Sequence, residues 1–237
     1  MAAGGGADSP HAFLDVDINN HSAAHALACE FVASCSLKYG LTSPVLAELG
    51  GSERARLPEL FAADYAWSSR GRIELSPAPA VRLTIALHAK AAPTCVDNFL
   101  HLCAGDRGKA KGSGVALHYR GSPLHRLVPG AFVQGGDFTH GNGAGGESIW
   151  GSTFKDDKTA LGTRLDRRGL LCMSNTGKNS NGSQFFITLA PLPKLTGKHC
   201  VFGEVVGGLE VLDRIEAVPC AEERPLHPIT ILNCGRL

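Results

Sequence analysis

Beyond residue 80 the apolar residues come in short runs punctuated by glycine and proline, and this pattern limits the fold more than any other feature of the chain. Val81, Leu83, Ile85 and Leu87 alternate with other residues at the period of a strand with one buried face. Leu127-Val128 and Phe132-Val133 flank Pro129-Gly130, which reads as two short strands around a turn. Further strands are expected over 170–174, 184–189, 200–205 and 229–232, while 135–151 is too rich in glycine for a regular element. Two helices interrupt the series. One opens at Thr94-Cys95-Val96-Asp97, where Thr94 and Asp97 have capping-box spacing, and ends at Gly105; the other follows Gly207-Gly208 with Leu209, Leu212 and Ile215 at helical spacing. Many short strands and few helices argue for a β-barrel or sandwich.

The first strand lies much earlier, where Leu14, Val16 and Ile18 alternate with Asp15 and Asp17. Between it and the second strand the composition changes. Residues 21–39 are alanine-rich with few breakers, with Asn20 or Ser22 available to cap and Gly40 to terminate, so a helix is expected. Ser43-Pro44 opens a shorter helical candidate, and Pro58 opens another carrying Leu60, Phe61 and Tyr65. Residues 19–80 therefore read as an inserted, largely helical segment. His21, His25 and Cys29 recur every four residues, a spacing that can present a zinc face. No fourth ligand is evident, so an ordinary alanine-rich helix is the preferred reading, and neither metal nor cofactor is expected.

The net charge of +1 gives no general attraction for nucleic acid or an acidic membrane, and no apolar run has the length of a membrane span. Proteins are the expected partners. Eight cysteines without a CxxC pair read as reduced thiols, and the opening MAAGGGADSPHAF has no basic stretch followed by an apolar one. Cytosol, or nucleus, is the expected setting. Asn181-Gly182-Ser183, formally a glycosylation sequon, is expected to be unmodified there.

Two segments are more specific. His125-Arg126-Leu127-Val128-Pro129 leads to Phe132-Val133-Gln134-Gly135-Gly136-Asp137-Phe138, and Met173-Ser174-Asn175 leads to Asn181-Gly182-Ser183-Gln184-Phe185-Phe186. With Gly197-Lys198-His199 and Val201-Phe202-Gly203, they resemble the cyclophilin signature in order, spacing and identity. The resemblance covers 13–18 and 81–237. It implies a mainly β fold, an eight-stranded antiparallel barrel capped by two helices, with 1–12 as a tail and the isomerase domain over 13–237 interrupted by the insertion 19–80. It also implies peptidyl-prolyl cis/trans isomerase activity on proline-containing polypeptides, assisting their folding or remodelling.

The chemistry explains the residue types. Amide resonance sets a rotation barrier of about 18–20 kcal/mol, and at the twisted transition state the imide nitrogen gains a localised lone pair. A donor near that nitrogen binds the transition state better than the ground state, and about 4 kcal/mol of such preference gives a thousandfold in rate. By resemblance Arg126 is that donor, Gln134 and Asn175 hold the peptide backbone, and His199 stands at the rim. Ala131, Phe132, Phe186 and Leu195 map to the proline pocket, with Ser174 and Gln184 lining the neighbouring groove.

Ala131 replaces the family's usual phenylalanine and removes an aromatic wall of the pocket. Lys194 stands where many members carry a tryptophan that helps bind cyclosporin, which implies weakened affinity for that drug. The segment 105–121 with Glu147 resembles the divergent-loop subgroup, in which a glutamate braces the loop and a cysteine, here Cys103, flanks it as a candidate redox switch. The altered pocket and the insertion leave a second reading open: a catalytically weak, proline-peptide-binding scaffold recruited to an assembly by a protein partner at the insertion.

Overall fold

The computed structural model describes residues 9–78 and 82–237; most of the expected tail and Val81 of the second strand lie outside the described residues. These residues form two compact units, one from 9–18 with 82–237, the other from 19–78. In chain order the elements are β1 (His11–Ile18), α1 (His21–Tyr39), α2 (Gly51–Ala63), α3 (Tyr65–Ser68), β2 (Arg82–Leu87), α4 (Pro93–Ala104), β3 (Arg126–Val128) and β4 (Phe132–Gly135). Then follow α5 (Lys158–Leu161), β5 (Leu170–Met173), β6 (Phe185–Thr188), β7 (Val201–Gly207), α6 (Leu209–Glu216), β8 (Cys220–Ala221), β9 (Arg224–Pro225) and β10 (Ile229–Arg236).

Among the described residues eight strands form one sheet in the order β10-β1-β2-β7-β5-β6-β4-β3, and every pairing is antiparallel. The residues before β3 join its two ends. Gly121 and Leu124 N–H donate to the carbonyls of Ile231 and Ile229, and Ile231 N–H donates to Ser122, so the sheet closes into a barrel. The alternation seen in the sequence points Leu14, Val16, Leu83, Ile85 and Leu87 inward. There Phe99 of α4 packs its ring 5.4 Å from Tyr119, 5.6 Å from Phe185 and 5.3 Å from Phe202. Each such buried side chain contributes about 1.5–3 kcal/mol. Helices α4 and α6 add Val96, Leu102, Val211, Leu212 and Ile215 to the same core.

Some expectations need correction. The first strand starts at His11, inside the expected tail, because Ala12 is buried and pairs with Arg236 and Ile85; a small alanine had not marked the alternation. Thr94 and Asp97 do not form a capping box. Pro93 takes the first helical position, which leaves Ala92 as the capping residue with a methyl that accepts nothing. Asp157 supplies the cap from a distance, accepting from the Thr94 hydroxyl and the Cys95 N–H, both at 2.9 Å.

In the second unit α1 has the expected limits, closed by Gly40 in the left-handed region at φ 61°. Asn20 occupies the capping position without a side-chain bond. Ser43-Pro44 precedes only a 3-10 turn at Leu46–Glu48. Pro58 does not open a helix but lies inside α2, because Glu53 organises an earlier start: it accepts from Gly50 N–H at 3.1 Å and from Thr42 N–H and hydroxyl at 2.8 Å. Phe31 centres the unit's own core, 5.2 Å from Phe61 and 5.5 Å from Trp67. His21 and His25 bond the carbonyls of Ser76 and Glu74 at 3.0 Å, and Cys29 reaches His25 at 3.7 Å. These partners use the histidines to pin the return segment against α1.

Candidate active site

Strands β3 and β4 set Arg126 directly opposite Gln134. From there a chain of bonds runs inward. Arg126 Nη1–H donates to Gln134 Oε1 at 3.3 Å, Gln134 Nε2–H to Gln184 Oε1 at 2.8 Å, and Gln184 Nε2–H to the carbonyls of Gly143 and Gly145 at 2.9 and 2.7 Å. Because each amide spends its NH2 on the next member, each presents its oxygen back toward Arg126.

The glycine-rich loop that ends this chain is built on Asp137. Its Oδ1 accepts from Thr139 N–H, the Thr139 hydroxyl and His140 N–H, and its Oδ2 from Asn142, Gly143 and Gly145 N–H, all within 2.9–3.2 Å. Burial opposes ionisation of this carboxyl. The bonds from His140, Thr139, Gly145 and Gly143 outweigh that and hold it well below the usual carboxylate range. The loop thus carries no phosphate cradle: its N–H groups point at a side chain of their own protein.

Beside the polar chain lies an aromatic cleft. The ring of Phe132 is 5.4 Å from Phe186, and His199 meets Phe186 edge-on at 5.1 Å. Phe186 itself is buried with Leu165, Leu170, Cys172 and Val201, and Phe132, Leu192 and Leu195 cover that cluster while half-buried. Register accounts for the division of labour in β6: Phe185 belongs to the barrel core and Phe186 to the cleft. Arg126 links the two halves, its guanidinium carbon 5.0 Å from the Phe132 ring centre. His199 donates from Nδ1 to the Met173 carbonyl at 3.0 Å, leaving Nε2 as the acceptor nitrogen. Burial pushes its pKa below the ordinary imidazole value.

Arg126, Gln134, Ser174, Asn175 and Gln184 all line one cavity of about 370 Å³, together with the glycine loop. Asn175 is fixed by donating to the Lys198 carbonyl at 3.1 Å and to Asn181 Oδ1 at 3.3 Å. Asn181 in turn is buried and donates to Asp156 at 2.8 Å, so the sequon asparagine is occupied as a structural hydrogen-bond donor. Ala131 is half-buried in the turn between β3 and β4, where its N–H donates to the Val128 carbonyl at 2.9 Å. Lys194 is exposed on the 3-10 turn Pro193–Leu195.

Sequence reasoning missed Glu223, which accepts from Arg126 Nε–H at 2.7 Å. It missed the organising role of Asp137 as well, although an acidic residue entering a glycine-rich run was a usable signal. In the loop 105–121, Glu147 accepts from Gly112 and Ser113 N–H at 2.9 and 2.8 Å, a brace of the kind the subgroup resemblance implies. Cys103, the candidate redox residue, is fully buried, and burial pushes its thiol well above the ordinary value.

Fold and site together define a closed β-barrel whose arginine-bearing polar cavity adjoins an aromatic cleft, the arrangement expected of a cyclophilin. The family profile described as cyclophilin type peptidyl-prolyl cis-trans isomerase/CLD matches residues 72–236, and the chain belongs to that family. It is 48% identical over 157 residues to the peptidyl-prolyl cis-trans isomerase cyp11 of Rhizopus delemar, covering 66% of this chain and 46% of that protein. It is 46% identical over 166 residues to the NK-tumor recognition proteins of Mus musculus and Homo sapiens, covering 70% of this chain and 11% of each. The chain thus spans less than half the length of these curated relatives.

Proposed function

We propose that this chain is an active peptidyl-prolyl cis/trans isomerase that binds extended proline-containing segments of other proteins and accelerates rotation about the bond before the proline. The observation that carries this reading is the placement of Arg126 at the junction of polar cavity and aromatic cleft. A proline ring seated on Phe132, Phe186 and Leu195 would bring its imide nitrogen to the guanidinium. Gln134 and Asn175 would hold the flanking backbone, so that one side of the bond turns while the other is fixed. The guanidinium then donates to the lone pair that appears only when resonance is lost, and no covalent intermediate is required. Eight cysteines spread without a CxxC pair support a reducing compartment such as cytosol or nucleus.

The scaffold reading draws its support from Ala131, which leaves Phe132 and Phe186 to supply the aromatic contacts of the pocket. Exchange NMR on an Ala-Pro peptide distinguishes the two. Catalysed exchange that collapses in Arg126→Ala supports the enzyme; binding without accelerated exchange supports the scaffold. Full activity in Arg126→Ala overturns the role given to that residue.

A further inference from the structure

Gln134 reaches Arg126 from one side only, and at 3.3 Å the bond is a loose one. The opposite side is held by the hairpin β8–β9. Arg126 Nε–H donates to Glu223 Oε2 at 2.7 Å, and the next N–H along β3, that of Leu127, donates to the Glu223 backbone carbonyl at 2.8 Å. One residue therefore fixes both the strand that carries the arginine and the guanidinium itself. Its backbone is unusual. Glu222 and Glu223 form the two-residue turn of the hairpin with φ of 49° and 63°. Asn-Gly relaxes such a turn, whereas two glutamates hold it in a region that L-residues disfavour. An unfavourable turn that places a carboxylate against the arginine of the cavity points to a use for that carboxylate.

We propose that Glu223 is the positioning residue for Arg126: it holds the Nε edge of the planar guanidinium so that the Nη edge is presented to the prolyl bond. The inference rests on Arg126 being the donor to the imide nitrogen. Its physical content is preorganisation. With side chains 43% and 50% exposed, the pair adds little to stability, but it removes rotational freedom from a long side chain before substrate arrives.

The test compares Glu223→Ala, Glu223→Gln and Arg126→Ala in exchange NMR on an Ala-Pro peptide, and follows the Arg126 Nε–H resonance. Glu223→Ala should lower kcat about two- to fivefold with KM little changed, and should speed solvent exchange of that proton. Glu223→Gln, which still accepts a hydrogen bond, should recover most of the loss. In an Arg126→Lys background, which has no Nε–H, Glu223→Ala should have no further effect. A double variant, Glu222→Asn with Glu223→Gly, should raise Tm through the relaxed turn while lowering kcat, which separates positioning from folding. An unchanged or raised kcat in Glu223→Ala, alongside a collapsed Arg126→Ala, overturns the role of Glu223 alone; full activity in Arg126→Ala overturns both readings.

Discussion

Asp137→Asn is the most informative single change to the site, because it nearly preserves shape while removing half of the acceptor capacity. The carboxylate serves three donors through each oxygen. An amide has one acceptor oxygen, so whichever way it turns, its NH2 faces three donors. A buried donor left without an acceptor costs about 1–3 kcal/mol, and because the three share one atom and the loop can relax toward water, about 3–5 kcal/mol is expected for the set. The Gly143 and Gly145 carbonyls anchor Gln184, which anchors Gln134, so kcat/KM should fall about tenfold or more as that chain loosens. Urea unfolding gives the first quantity and exchange NMR the second. The pH dependence has a definite sign. The folded carboxyl is held below its unfolded value of about 3.9, so its contribution is complete above that value and is lost as pH falls through it toward the folded one. The stability gap between wild type and variant should be flat from about pH 8 to 5 and narrow below about pH 4. A gap under about 1 kcal/mol at pH 7, or one that persists unchanged into acid, would refute the organising role.

Ala131→Phe should lower KM for proline peptides about threefold, a part of the full value of a buried ring because the position is half-buried; an unaltered KM would mean that Phe132 already fills the space. Lys194→Trp should strengthen cyclosporin binding in a calorimetric titration, since the exposed turn presents position 194 without competing packing. The His199 ring should titrate below its ordinary value of about 6.5 by NMR, remaining neutral at pH 7, so kcat/KM should not vary with this group between about pH 7 and 8. A midpoint above 6.5 would contradict the burial that holds it neutral.

The barrel was legible because its signals are local. Alternation at Leu83, Ile85 and Leu87 needs no partner to be read, and α1 carries its own stop at Gly40. What escaped depends on residues distant in the chain. The cap of α4 comes from Asp157, and the start of α2 from Thr42 held by Glu53, while Pro58 had pointed elsewhere. The polar site residues could be placed by resemblance, and the structure brings Arg126, Gln134, Ser174, Asn175 and Gln184 to one cavity. Glu223 was illegible for a specific reason: its hairpin lacks the Asn or Gly that announces such a turn, so neither the turn nor its carboxylate drew notice.

The strand β10 bonds on one edge to β1, at the other end of the chain, and on the other to the segment before β3. During synthesis every other strand of the ring leaves the ribosome before the one that closes it. Until Ile229–Arg236 emerges, β1 and the segment 121–124 expose unpaired backbone edges to whatever else is nearby. Pairings of such long sequence separation form slowly. A nascent chain of this protein therefore passes through an open-edged stage of its own, one that lasts until its last strand is free to close the ring.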